Sequence, residues 1–131
     1  MAIPVEPEGW PRPRGYSSGM RARGEVVAIS GQIGWDAEQR LVPGGFAEQF
    51  AQALANVVSV VRAAGGRPED LVSLTIFVTD RAAYTAAAKA MGEAYRRIVG
   101  KHYPAMAVIG VVGLLEPAAL VEIQGLAVVP S

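Results

Sequence analysis

Two hydrophobic periods divide this chain. From Phe46 to Ala64 apolar residues recur at helical spacing (Phe46, Phe50, Ala53, Leu54, Val57, Val58, Val61, Ala64), with Glu48, Gln49, Gln52 and Arg62 opposite. The pattern predicts a helix that Gly65-Gly66 stops, because glycine accepts the left-handed closing residue without a steric penalty. Leu71–Thr79 alternates instead, with Val72, Leu74, Ile76 and Val78 on one face and Ser73, Thr75, Phe77 and Thr79 on the other. Asp80 suits the N-cap of a second helix, whose stripe is Tyr84, Ala87, Ala88, Met91, Tyr95 and Ile98, closed by Gly100.

The stretch from Pro104 to Val129 reads as a pair of apolar strands joined through a turn-rich corner, Gly113–Ala119. Leu120, Glu122, Gln124 and Leu126 share one side of the last strand; Val121, Ile123, Gly125 and Ala127 share the other. Glu122 is the only carboxylate in that strand. It sits at an edge in water, or it is held by a partner or a ligand; burial alone is too costly.

Upstream, Ser17–Arg23 and Glu25–Ser30 fit two short strands turned at Gly24, and the second ends in Ser30-Gly31-Gln32, where glycine permits close approach. Residues 1–14 hold four prolines and form an extended arm carrying Trp10, which suits packing against the domain or a neighbouring copy. The order β-β-α-β-α-β-β within one domain, 1–131, predicts an α+β fold: a mixed sheet with two helices on one face. The opposite face, only partly apolar, suits coverage by further copies of the chain.

Composition removes several functions. Lys plus Arg equal Asp plus Glu at 12 each, which leaves no basic field for nucleic acid and no cationic face for a membrane. There is no cysteine and one histidine, His102, so disulfides, thiolate chemistry and a His- or Cys-built metal site are excluded. His102 falls at a helix-to-strand junction and reads as a capping or solvated imidazole; no GxSxG elbow accompanies the serines. Glu116, the nearest acid to Glu122, lies in an exposed corner and makes a poor dyad partner. The first residues are charged and proline-rich, unlike a signal peptide, and no apolar run is long enough for a bilayer, so a cytoplasmic location is expected. Glu122, a Ser-Gly at a strand end and Tyr16 remain, enough to hold a small ligand and one water.

These pieces together resemble the YjgF/Rid family, the reactive-intermediate deaminases. The matching residues are Gly15-Tyr16 with Gly19, Ile29-Ser30-Gly31-Gln32-Ile33, Ala63-Ala64-Gly65, Asp70-Leu71-Val72, Phe77-Val78-Thr79-Asp80, Tyr103-Pro104-Ala105, Val121-Glu122-Ile123 and Ala127-Val128. The resemblance implies a chorismate-mutase-like fold and a homotrimer with an inner barrel of sheets. It also implies small-molecule clefts between subunits and cofactor-free hydrolysis of imines or enamines to a keto acid and ammonia. On that likeness Tyr16, Ser30 and Gly31 line the cleft from one subunit, and Glu122 of its neighbour positions water. The sequence departs at Met106, where active deaminases carry an arginine that clamps the substrate carboxylate. A thioether makes neither of the two parallel charge-assisted bonds a guanidinium makes, a loss of several kcal/mol in positioning. Ala88 falls near another small or polar family position on the second helix. Met106 with Trp35 suits a more apolar pocket, and Trp35 equally suits subunit packing. Two functions follow as expectations: an imine or enamine deaminase of altered substrate class, or a ligand-binding or interaction protein without chemistry. Ribonuclease or translation-inhibitor activity, invoked by older family names, is a remote third against the neutral charge.

Overall fold

The computed structural model describes residues 2–131. Its strands are β1 (Ile3–Val5), β2 (Gly19–Arg21), β3 (Glu25–Gln32), β4 (Leu71–Val78), β5 (Ala105–Gly110) and β6 (Val121–Val129). Its helices are α1 (Phe46–Ala63), α2 (Arg81–Ala86) and α3 (Ala88–Ile98). Four strands form one sheet in the order β3-β6-β4-β5, with β4 and β5 parallel and the other pairs antiparallel. Helix α1 lies across β3 and β6 and packs against α3. Leu54, Val57 and Val61 of α1 meet Leu74, Ile76, Val78, Val121 and Ile123 of the sheet in one core. The fold is α+β, a mixed sheet carrying its helices on one face. Its other face exposes Val26, Ile109 and Leu126.

The last two strands are not neighbours. Strand β4 lies between β5 and β6, because the ten-residue connection from Val111 to Leu120 is long enough to cross one strand. The early hairpin is also different. Strand β2 pairs with β1 of the arm, and β3 pairs with β6. Gly24 separates β2 from β3 at φ 146°, where a Cβ would stand 2.1 Å from the Val129 carbonyl oxygen, so the chain passes from one sheet to the other here.

Helix α1 keeps its expected stripe and stop, with Gly65 at φ 85°. Gln49 belongs to the core and not to the polar face: it is 5% exposed, its amide nitrogen donates to the Ala118 carbonyl and its oxygen accepts from the Leu120 N–H at 2.8 Å. Burial is tolerated because both ends of the amide are paired. The second helix is broken at Ala87 (φ −91°, ψ 6°). Asp80 caps α2 by accepting from the Ala82 and Ala83 N–H groups; α2 meets the core through half-buried Ala83 and Tyr84, whereas α3 buries Met91 and Tyr95 in it. Ala88, the first residue of α3, is exposed.

Candidate functional site

The sheet organises one group of candidate residues at its β3 edge. Between Ile29 and Gln32 the β3–β6 register shifts, and Ser30 and Gly31 occupy the bulge. Bulges bend a strand and re-aim its groups. Here the bulge brings the bare Cα of Gly31 against the Glu122 carboxylate: a Cβ on Gly31 would lie 2.2 Å from Glu122 Oε2. Glu122 is half-buried, and among the described residues it has no hydrogen-bond or ion-pair partner. The Ser30 hydroxyl is exposed and accepts from Gln32 Nε2 at 3.2 Å. Gln49 fixes the chain at Leu120, two residues before Glu122.

A second group lies at the opposite edge. The buried Ser17 donates from its hydroxyl to the Tyr103 carbonyl at 2.6 Å and from its N–H to the Pro104 carbonyl at 3.1 Å. Those bonds set Tyr16 beside the start of β5. There a cleft of about 720 Å³ opens between α3 and β5. Ile76, Met91, Met106 and Val108 give it an apolar floor, and Tyr16, Tyr84 and Tyr103 give it aromatic walls. Tyr95 stacks on Tyr103 with ring centroids 5.3 Å apart and donates to the His102 carbonyl; burial pushes its phenol well up, so it stays a neutral donor. Among the described residues Arg14 and Arg96 are the only charged ones around the cleft, and Ala88 is also in its lining.

Within one chain the candidate residues fall into two groups. Gly31 and Glu122 touch within one chain, whereas Tyr16 keeps company with Met106. Glu122 pairs across to Phe77, while Met106 pairs with Leu74 on the helix-covered face. The carboxylate and the cleft thus face opposite sides of the sheet, near opposite edges, and one chain does not unite them. Within one chain Trp35 does not line the Met106 cleft among the described residues. Asn56 Nδ2 holds the carbonyls of Ile33 and Trp35, at 3.2 and 2.9 Å, and draws that loop onto α1. His102 sits 2.7 Å from the Leu71 carbonyl through Nε2, a structural contact.

Sequence reasoning missed the structural roles of Ser17 and Gln49, and it left Arg14 and Arg96 unplaced. A polar residue inside an otherwise apolar helical stripe was the available signal for Gln49. For the arginines there was none, since exposed cations look alike along a chain. Among the described residues no group of three or more His, Cys, Asp or Glu side chains is placed to hold a metal ion.

Comparison with known proteins adds the following. The family model described as endoribonuclease L-PSP matches residues 11–129. The RutC family protein UK114 of Drosophila melanogaster is 35% identical over 107 residues, 81% of this chain and 74% of that one. A 2-iminobutanoate/2-iminopropanoate deaminase of Capra hircus is 34% identical over 104 residues, 79% of this chain and 72% of its own. Among solved structures, the Rid-family protein of unknown function YyfB from Yersinia pestis superposes with a TM-score of 0.86 at 30% identity, covering 98% of each chain. The YjgF gene product of E. coli gives 0.71 at 31% identity, over 96% of this chain and 98% of that one.

Proposed function

The chain belongs to the endoribonuclease L-PSP family, the YjgF/Rid proteins, and from that premise we propose that it hydrolyses an imine or enamine in a cleft completed by a second copy. The observation that carries the reading is Glu122: a half-buried carboxylate without a hydrogen-bond or ion-pair partner among the described residues, laid against a glycine whose missing side chain makes room for it. In this reading Glu122 accepts a proton from water as the water oxygen bonds to the imine carbon. Glu122 returns that proton to nitrogen to give the carbinolamine; the hydroxyl proton then follows to nitrogen as the C–N bond breaks, and a carbonyl compound and ammonia leave. No cofactor enters that balance.

The assembly follows from the placement of the two halves. One half lies near the β3 edge and the other at the β5 edge, so a head-to-tail ring of copies unites them at every interface. A homotrimer is the ring the family resemblance implies. The exposed Val26, Ile109 and Leu126 face becomes its interior.

Met106 and its apolar neighbours favour a second reading, a cleft that binds a small ligand without turning it over. Imines generated in place by an amino acid oxidase, with semicarbazide as the competing trap, separate the two. The hydrolase reading expects the wild-type chain to suppress trapping and Glu122→Gln to abolish that suppression. Wild-type protein without effect on any imine offered contradicts it.

A further inference from the structure

A second cavity, of about 580 Å³, lies between the arm and the turn that joins α3 to β5. Among the described residues it shares only Gly15, Tyr16 and Tyr103 with the α3–β5 cleft. Its walls are tied down on every side. Pro4 and Met20 are register partners in the β1–β2 pair, and the Ser18 N–H donates to both carboxylate oxygens of Glu6, at 3.3 and 3.2 Å. His102 is fixed on the Leu71 carbonyl, and Tyr103 is stacked on Tyr95. Trp10 completes the lining, yet its side of the arm is open: the residue is 64% exposed. The segment that carries it is stiff. Gly9 (φ 85°) and Gly15 (φ 76°) bracket Trp10–Arg14, and a Cβ at either would meet nothing within 4 Å. Glycine is therefore required there by the left-handed backbone of the two bends, not by close packing. Between the bends Pro11 and Pro13 hold their own φ fixed. An exposed indole on so constrained a segment can take a ligand with little further ordering.

Charge decides the ligand. Arg12 comes to the cavity from the arm and Lys101 from the turn after α3. Neither is neutralised within the chain: among the described residues the ion pairs are those of Arg40 with Asp36 and Glu38. The single carboxylate in the lining, Glu6, is already engaged by the Ser18 N–H. We infer that this cavity binds a planar aromatic ring that carries a phosphate, the chemistry of a nucleoside monophosphate, with the ring on Trp10 and the phosphate on Arg12 and Lys101. Two unpaired cations match a phosphate, whose charge at neutral pH is about −1.5 to −2. The guanidinium fork meets two phosphate oxygens in parallel, and the ammonium adds a point charge. Stacking on an indole is open to any base, because every base has a π-face. The volume falls within the range of about 300–1,000 Å³ typical of small-molecule sites. A mononucleotide needs only these two cations, so the balanced charge that argues against a nucleic-acid polymer does not argue against it. The inference stands apart from the hydrolase reading, since neither Trp10, Arg12 nor Lys101 lines the α3–β5 cleft.

The test is a fluorescence titration of the full chain with adenosine 5′-monophosphate, adenosine, inorganic phosphate and benzoate. Trp35→Phe leaves Trp10 as the only indole, and calorimetry on the wild-type chain repeats the series without that substitution. The monophosphate is expected to quench Trp10 and to bind about 10-fold or more tightly than adenosine, phosphate or benzoate. Arg12→Gln and Lys101→Gln each weaken it about 5-fold, the size of one exposed charge pair. By calorimetry Trp10→Ala loses the binding, and Trp10→Phe, which keeps a ring to stack on, retains most of it. Adenosine as tight as its monophosphate would overturn the phosphate contact, and inorganic phosphate as tight would overturn the stack. Benzoate as tight would make the site one for carboxylates. Binding unchanged in Trp10→Ala, or no binding of the monophosphate to the wild-type chain, would overturn the site itself.

Discussion

At the scale of single residues, Gly31 and Glu122 act as one unit. Gly31→Ala puts a methyl group where Oε2 now lies, and the far end of a flexible side chain can yield at little cost. The expected result is a strong loss of imine hydrolysis with a urea midpoint close to wild type; full activity in this variant would show that the carboxylate's position is unimportant. Gln49 predicts the opposite pattern. Gln49→Leu leaves the Leu120 N–H and the Ala118 carbonyl unpaired, at about 1–3 kcal/mol, measurable by urea unfolding. No change in stability would mean that water replaces the amide. Glu122 was legible in the sequence because a lone acid in an apolar alternation is conspicuous. Its contact with Gly31 was not, because a bulge moves groups in ways that strand alternation does not describe.

At the scale of elements, legibility followed length. Helix α1 repeats its stripe over 18 residues and was readable apart from Gln49. The β1–β2 pair was not, since three-residue strands, one containing Pro4, carry no periodicity to read. Gly24 marks that change of partner. Gly24→Ala is expected to destabilise the chain by about 1–3 kcal/mol, since a Cβ would collide with the Val129 backbone at a positive φ; an unchanged thermal midpoint would contradict the close approach. The turn before α1 predicts a pH response. Asp36 Oδ1 accepts from the Arg40 and Glu38 N–H groups, which holds its carboxyl below the usual value of 3.8. A depressed folded value stabilises the turn above the unfolded value and is lost as pH falls through the folded one. The Arg40 amide shift should therefore titrate below pH 3.8; a midpoint at or above that value would contradict the bonds.

At the scale of the whole molecule, the sequence supported the layered α+β arrangement but not the strand order, which depends on β4 inserting between β5 and β6. It also could not reveal that the two halves of the candidate site face opposite sides of one sheet, because facing is a property of that order. From this opposition comes the central claim: the site is made by two copies. Mixed assemblies test it most directly. Glu122→Gln and Tyr16→Asp chains, each inactive alone, are unfolded together in equal amounts, refolded, and assayed for imine hydrolysis. If each site draws one half from each of two chains, roughly a quarter of the sites in the mixture are intact and that share of wild-type activity returns. If the mixture stays as inactive as its components while refolded wild type is active, both halves come from one chain, and the account is wrong.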